Sequence, residues 1–391
     1  MNVDVGQVFN FFPVPTDIHF GCGALASLAE RVAAVNGRQA LVVTDPGVRA
    51  AGILDRVTGR LEAAGIPFTV FDRVTPDSSS DLIESGVQAA KAAAADVVLG
   101  VGGGSALDTA KAIAALVTNP GSPLDYVGLH KVTTRPLPTI AIPTTSGTGS
   151  EVSLWSVFTD DARKLKVAIG GFMLYPTVAL CDPDLTLELP PALTAATGMD
   201  ALGHAVECYT NNACQPISAA LAFRAIELIG RHLPIATLNG RDRQARYGMM
   251  LASTMAGMAM NPTRLGLAHA LAMPLGSGTL KIPHGIAVAV TLSPVVAFNH
   301  PAAPERFAAV ARALGEPVDG LPVMEAASRA AAAVRRLADV VGIPKGLSEW
   351  GLDERQVPEI VDEAMKSGNV AVNPRRTSRD DLAGVLRQTI G

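Results

Sequence analysis

The sequence predicts an α/β domain, a parallel sheet with flanking helices, followed by an all-α domain. Three observations predict it. Short apolar runs rich in β-branched residues alternate with helix-length segments through the first half of the chain. That alternation stops near Pro190-Pro191, after which long Ala-rich segments of helical spacing follow one another. The chain also has 391 residues, enough for about two domains at roughly 100–200 residues each. The expected boundaries are 1–188 for the α/β domain and 189–391 for the helical one.

The elements follow in order. Residues 40–44 (ALVVT) read as a strand that ends at Asp45-Pro-Gly, and 53–64 as a helix. Residues 68–71 (FTVF) are a second strand, 81–94 a helix, 96–100 a third strand and 138–143 a fourth. Strands separated by helices of this length predict βαβ units. Beyond Pro190-Pro191, residues 194–209, 217–232, 243–260 and 322–341 read as helices. There is no repeat and no low-complexity tract.

Composition limits the function. Hydrophobic residues make up 48% and charged ones 17%, so a large core is available and wholesale disorder is excluded. With 2 Trp and 4 Tyr, that core is aliphatic. A net charge of −4 argues against a nucleic-acid partner. The longest runs free of Asp, Glu, Lys and Arg, 282–304 and 247–263, contain prolines and read as buried segments rather than membrane spans. The N-terminus (MNVDVGQVFNFF) has no basic region and no clear cleavage site. Cys22, Cys181, Cys208 and Cys214 form no CxxC pair, so reduced thiols in a cytoplasmic protein are expected.

Two loops have the chemistry of a phosphate cradle. Gly100-Val-Gly-Gly-Gly-Ser105 leaves a strand and opens a helix, a turn that brings backbone N–H groups and a positive dipole end to a phosphate. It is neither GxGxxG nor a Walker A loop. The plain alternative is a tight turn with Ser105 as N-cap. The second loop, 143–151 (PTTSGTGSE), also follows a strand and carries five hydroxyl side chains. Its alternative is an ordinary Ser/Thr turn. Asp45, after the first strand, is placed to accept from an adenosine ribose and to repel a 2′-phosphate, favouring NAD over NADP, or else simply to start a turn.

A different chemistry marks the second half. Asp200 and His204 are four residues apart and share a helix face. His269 and His284 lie in similarly apolar surroundings. One carboxylate and three imidazoles suit Fe²⁺ or Zn²⁺. A lone buried histidine is more often a hydrogen-bonded core residue, but four such groups together are costly to bury without a cation.

On these residues the sequence resembles the iron-containing (group III) alcohol dehydrogenase family, with its dehydroquinate synthase-like fold. The motifs are GGGSALDTAK (102–111), PTTSGTGSE (143–151), LPPALTAATGMDALGHAVE (189–207), GLAHALAMPLG (266–276) and PHG (283–285). The resemblance implies a dinucleotide-binding domain, a helical domain, and an active site in the cleft between them. It implies metal ligation by Asp200, His204, His269 and His284. It implies pyrophosphate binding by Gly102, Gly103, Gly104 and Ser105, with Asp108 in the next helix. Thr144, Thr145 and Thr148 match the nicotinamide- and phosphate-contacting loop, Asp45 the position governing NAD choice, and Lys166 a lysine near the cofactor. A homodimer is implied as well.

Two positions depart from the family. Met273 replaces a histidine that many relatives carry four residues after the third ligand, so any proton relay through it is absent or rerouted. Arg264 stands in Pro262-Thr-Arg-Leu-Gly266, where it offers a planar two-point contact to a substrate anion, or else an ordinary surface charge. The expected reaction is hydride transfer between NAD(H) and a small alcohol or aldehyde, with Fe²⁺ (or Zn²⁺) lowering the pKa of the alcohol. Two rivals remain open. One is a reductase of an anionic substrate, either maleylacetate-reductase-like or acting on a carboxylate-, sulfonate- or phosphonate-bearing aldehyde. The other is a non-catalytic nucleotide-binding protein with a structural metal.

Overall fold

The computed structural model describes residues 9, 14–76, 78–278 and 280–391. The N-terminal stretch inspected above for a leader lies, Phe9 apart, outside the described residues. The described chain forms two compact units, Val14–Leu189 and Pro190–Gly391.

The first unit carries strands β1 (Asp17–Phe20), β2 (Ala40–Val43), β3 (Phe68–Phe71), β4 (Val97–Gly102), β5 (Gly128–Leu129), β6 (Thr139–Pro143), β7 (Trp155–Asp160), β8 (Leu165–Gly170) and β9 (Val178–Cys181). Six of them form one parallel sheet, in the order β1-β9-β6-β4-β2-β3. Its helices are α1 (Leu28–Ala34), α2 (Pro46–Ala50), α3 (Ile53–Ala63), α4 (Ser80–Ala92) and α5 (Gly104–Thr118). The predicted strands at 40–44, 68–71, 96–100 and 138–143 are β2, β3, β4 and β6.

Both faces of this sheet are covered, which is why its strands read as unbroken apolar runs. Ala40 and Val42 point into a layer with Leu28, Val32, Val57 and Leu61 of α1 and α3. Leu41 and Val43 point into the opposite layer, with Ile83 and Val87 of α4 and Ile113 of α5. Gly86 lets those last two helices touch, since a Cβ there would lie 2.2 Å from Ile113 Cδ1.

After β2 the chain goes outward to β3 and then returns to the other side of β2 as β4. This reversal opens a crevice beyond the C-terminal ends of β2 and β4, the usual ligand position in such sheets.

The hairpin β7–β8, with β5 at its edge, is a second small sheet that the sequence reading did not foresee. Trp155 to Asp160 alternate between half-buried and buried. The turn closes through Lys164, at a φ of 54°.

The second unit is helical: α6 (Pro191–Thr210), α7 (Pro216–Leu238), α8 (Arg243–Thr263), α9 (Leu267–Leu275), α10 (His284–Asn299), α11 (Pro304–Ala313), α12 (Val323–Val340), α13 (Val357–Ala364), α14 (Gly368–Ala371) and α15 (Arg379–Arg387). The predicted segments 194–209, 217–232, 243–260 and 322–341 are α6, α7, α8 and α12. Small residues set the helix spacing: a Cβ on Gly198 of α6 would lie 2.2 Å from Leu233 Cδ1 of α7.

The charge-free run at 282–304 is mostly α10. By length and composition alone it is apolar enough to cross a membrane. Here it packs against α6, α9 and α12, with Ala287 to Leu292 buried.

Candidate active site

The α/β unit brings three of the predicted features to adjacent strand ends. In the order β6-β4-β2, the strands are followed by the Thr/Ser loop, the glycine loop and Asp45. The two loops are tied together, with Thr144 N donating to Gly102 O at 3.0 Å.

Gly102 and Gly104 each have a steric reason, whereas Gly103 has room for a Cβ. Gly102 has φ 149°, and a Cβ there would lie 2.7 Å from Ala106 Cβ and 3.0 Å from Asp45 Oδ2. A Cβ on Gly103 would touch Thr145 at 3.4 Å, and one on Gly104 would lie 2.7 Å from Thr148 Cγ2.

The N-cap of α5 is Gly103, not Ser105 as the plain alternative had it, and no side chain caps it. Ser105 lies half-buried inside the first turn. The first N–H groups of α5 are therefore left for an acceptor from outside.

Asp45 is the N-cap of α2, where Oδ1 accepts from Val48 N at 2.9 Å. Its Oδ2 faces Gly102. Lys166 lies on β8, half-buried and opposite Thr159 of β7.

Asp108 is committed to holding protein. Its Oδ1 accepts from Ser150 Oγ at 2.5 Å and lies 2.9 Å from Lys111 Nζ, and its Oδ2 accepts from Val157 N at 2.9 Å. Lys111, buried, also donates to Ser150 O at 3.1 Å and to Trp155 O. This buried pair staples α5 to the end of the Thr/Ser loop and to β7.

The helical unit gathers the second constellation. Asp200 of α6, His269 of α9 and His284, the first residue of α10, each bring a ligand atom within 4.8 Å of one another; His204, one turn after Asp200 on α6, lies outside that trio. Asp200 Oδ1 lies 3.5 Å from His269 Nε2 and 3.6 Å from His284 Nε2. The His204 ring stacks on His269, with centroids 4.5 Å apart.

Asp200 Oδ1 and His269 Nε2 are fully buried and have no hydrogen-bond partner. Bonds of ~2.0–2.1 Å to one tetrahedral cation put its ligand atoms about 3.3 Å apart, close to the spacing found. These two buried atoms make no hydrogen bond and face each other only as a long ion pair, a spacing that also fits a cation between them.

Three glycines make the room. A Cβ on Gly203 would lie 3.2 Å from His269 Cε1, one on Gly266 2.8 Å from Glu207 Oε1, and one on Gly285 2.5 Å from Ala196 O.

The charges are strongly coupled. Burial alone would raise the Asp200 carboxyl, but His204 and His284, with His269 beside them, hold it well below the usual carboxylate range. Burial alone would lower His269, but Glu207 and Asp200 hold it up at about 9.

Glu207 was not singled out from the sequence. It is buried on α6 and accepts from Gly266 N at 2.8 Å and Ala268 N at 2.7 Å, while its Oε2 lies 2.6 Å from His269 Nδ1. The available signal was its spacing, one helical turn beyond His204 and two beyond Asp200, in an otherwise uncharged helix.

Met273 is half-buried, one turn after His269 on α9. Arg264 is exposed just past α8, with a positive φ (60°, ψ −167°) that is rare for a residue with a side chain. A Cβ on Gly368 would lie 2.1 Å from its Nη1, so its guanidinium lies over α14.

A glycine-rich turn at the strand ends of a parallel sheet and a buried carboxylate–imidazole cluster among helices are features of a metal-using dehydrogenase. The chain belongs to the iron-containing alcohol dehydrogenase family. The family model "Iron-containing alcohol dehydrogenase" matches residues 15–183, and "Fe-containing alcohol dehydrogenase family, C-terminal" matches 194–390.

The chain is 40% identical to a 1,3-propanediol dehydrogenase of Klebsiella pneumoniae, over 98% of this chain and 99% of that one. It is 38% identical to a sulfoacetaldehyde reductase of Bilophila wadsworthia, over 97% and 98% of the two chains. Among solved structures, a 1,3-propanediol oxidoreductase superposes with a TM-score of 0.95 at 39% identity, covering 98% of this chain and 100% of that one.

Proposed function

We propose that this protein is a metal-dependent, NAD(H)-linked alcohol dehydrogenase and aldehyde reductase for small alcohols and aldehydes. Asp200, His204, His269 and His284 hold the metal, Fe²⁺ natively, with Zn²⁺ suited to the same donors. The observation that carries the reading is the orphaned pair Asp200 Oδ1 and His269 Nε2. A divalent cation there supplies Lewis-acid polarisation of the substrate oxygen, and the dinucleotide carries the hydride.

The chain's own residues do the rest. The open N–H groups of α5 and the backbone of Gly102, Gly103, Gly104 and Ser105 take the pyrophosphate. Asp45 Oδ2 accepts from the ribose and disfavours a 2′-phosphate. Thr144, Thr145 and Thr148 line the cofactor, with Lys166 nearby. Asp108 contributes through the loop it braces. Because Met273 is no proton carrier, water, the ribose hydroxyls or the Thr144–Thr148 loop handle the proton. The protein acts as a cytoplasmic homodimer.

A second reading keeps the same site but takes an aldehyde bearing an anion, with Arg264 as its partner. Its supports are the strained backbone of Arg264 and a relative named for sulfoacetaldehyde. A maleylacetate-reductase-like reaction with little need of metal, and a non-catalytic nucleotide-binding role, are both disfavoured because the sequence keeps all four donor residues.

One assay separates them. The enzyme is prepared anaerobically, and NADH oxidation is followed with neutral and anionic aldehydes, before and after chelation and Fe²⁺ return. Activity lost and restored with Fe²⁺ is expected. Activity indifferent to exhaustive chelation would sink the metal reading. A preference for anionic aldehydes that Arg264→Ala abolishes selects the second reading.

A further inference from the structure

A buried carboxylate beside a metal cluster calls for its own explanation. Glu207 is 4% exposed, yet no lysine or arginine lies against it among the contacts recorded for the described residues. Its three recorded partners are all N–H groups of one short segment: Gly266 N, Ala268 N and His269 Nδ1.

Two of these belong to the start of α9, whose N-cap, Gly266, has no side chain to offer. The third is the ring whose other nitrogen faces Asp200. Gly266 has extended backbone (φ −145°), so its lack of a Cβ serves space rather than conformation. A Cβ there would lie 2.8 Å from Glu207 Oε1 and 3.2 Å from Cγ.

We propose that Glu207 is the positioning residue of the metal centre: it holds His269 with Nδ1–H donated to its own carboxylate and Nε2 turned toward Asp200, and it anchors the first turn of α9 in the same grip. The inference rests on the metal reading above. A carboxylate on the far nitrogen of a ligating imidazole fixes the tautomer, restrains ring rotation and makes the ligating nitrogen more basic. Because the same carboxylate accepts from Gly266 and Ala268, the ring and its helix move as one body. The cluster is thereby set before any cation arrives.

The probe is Co²⁺, which takes the same donors and reports their geometry in its visible absorption. Metal-free wild type and Glu207→Gln are titrated with Co²⁺, and NADH affinity and circular dichroism serve as controls. Wild type is expected to bind one Co²⁺ per chain. Glu207→Gln is expected to bind about ten- to a hundredfold more weakly, with shifted bands and with NADH affinity unchanged.

If Glu207 only capped α9, the variant would melt earlier with the same Co²⁺ affinity and spectrum; that result overturns the proposal while leaving the metal reading intact. Wild type that takes up no Co²⁺ overturns both. Should Glu207→Gln not fold, Gly266→Ala decides. It keeps the carboxylate but displaces it, and a folded Gly266→Ala protein with wild-type Co²⁺ affinity and spectrum overturns the proposal.

Discussion

Asp45 divides its two oxygens between two tasks. Oδ1 caps α2, while Oδ2 faces the glycine loop. The tasks are separable by substitution, because serine also caps a helix but carries no charge. Asp45→Ser is expected to keep its melting temperature and to raise the NADPH/NADH ratio of kcat/KM by at least about tenfold, since a like-charge contact costs several kcal/mol. Steady-state kinetics with both cofactors check it.

His269 makes the second prediction at this scale. In the metal-free protein it holds its proton up to about 9, against an ordinary 6.5. A raised pKa contributes stability that is full below 6.5 and is lost as pH rises through 9. A cation needs the lone pair that this proton occupies. Metal uptake is therefore expected to release protons, with affinity rising between pH 6.5 and 9 and then levelling, as calorimetry in buffers of different ionisation enthalpy would show. The four proposed ligands stand out in the sequence because charge is scarce there. Glu207 does not, since a carboxylate that only accepts from backbone and a ring leaves no motif of its own.

Among the elements, β4 and α5 meet at the glycine loop, and the pair Asp108–Lys111 locks them to the Thr/Ser loop. The lysine side chain is 1% exposed and the aspartate 13%. Removing one partner leaves a buried charge alone, at a cost of roughly 3–5 kcal/mol. Lys111→Met is thus expected to lower the melting temperature sharply and to weaken NADH binding as the loop loosens. Asp108→Asn added to it should restore part of the stability, which a double-mutant cycle measures. The strands β2, β4 and β6 and the long helices were readable because their apolar periods are unmixed. The β7–β8 hairpin was not, because only alternate residues are fully buried and its turn carries neither glycine nor proline.

Across the whole molecule, the cofactor features belong to one unit and the metal features to the other. Ligands should therefore leave separate footprints in hydrogen exchange. Cation binding is expected to slow exchange in α6, the N-terminal turns of α9 and the start of α10. NADH is expected to slow it in the turns after β2, β4 and β6. A saturating excess of about 100 times Kd adds roughly 2.7 kcal/mol to the stability of what it binds. Protection by the cation confined to the β4–α5 turn would refute the assignment. The two-part architecture itself was legible, because the change from alternating to continuous helical pattern is abrupt at Pro190-Pro191. What no pattern announced was the packing of α9 and α10 around the cluster, which depends on three glycines dispersed through the sequence.

The proposed ligands differ in one respect that bears on time rather than affinity. The side chain of His284 is 31% exposed, whereas those of Asp200 and His269 are each 4% exposed. An ion held by the proposed ligands would meet His284 first on arriving from solvent and would part from it last. His284 would then be the threshold across which the ion is exchanged, and its replacement is expected to change how fast a chelator strips the protein. The inner pair would set how tightly the ion is kept.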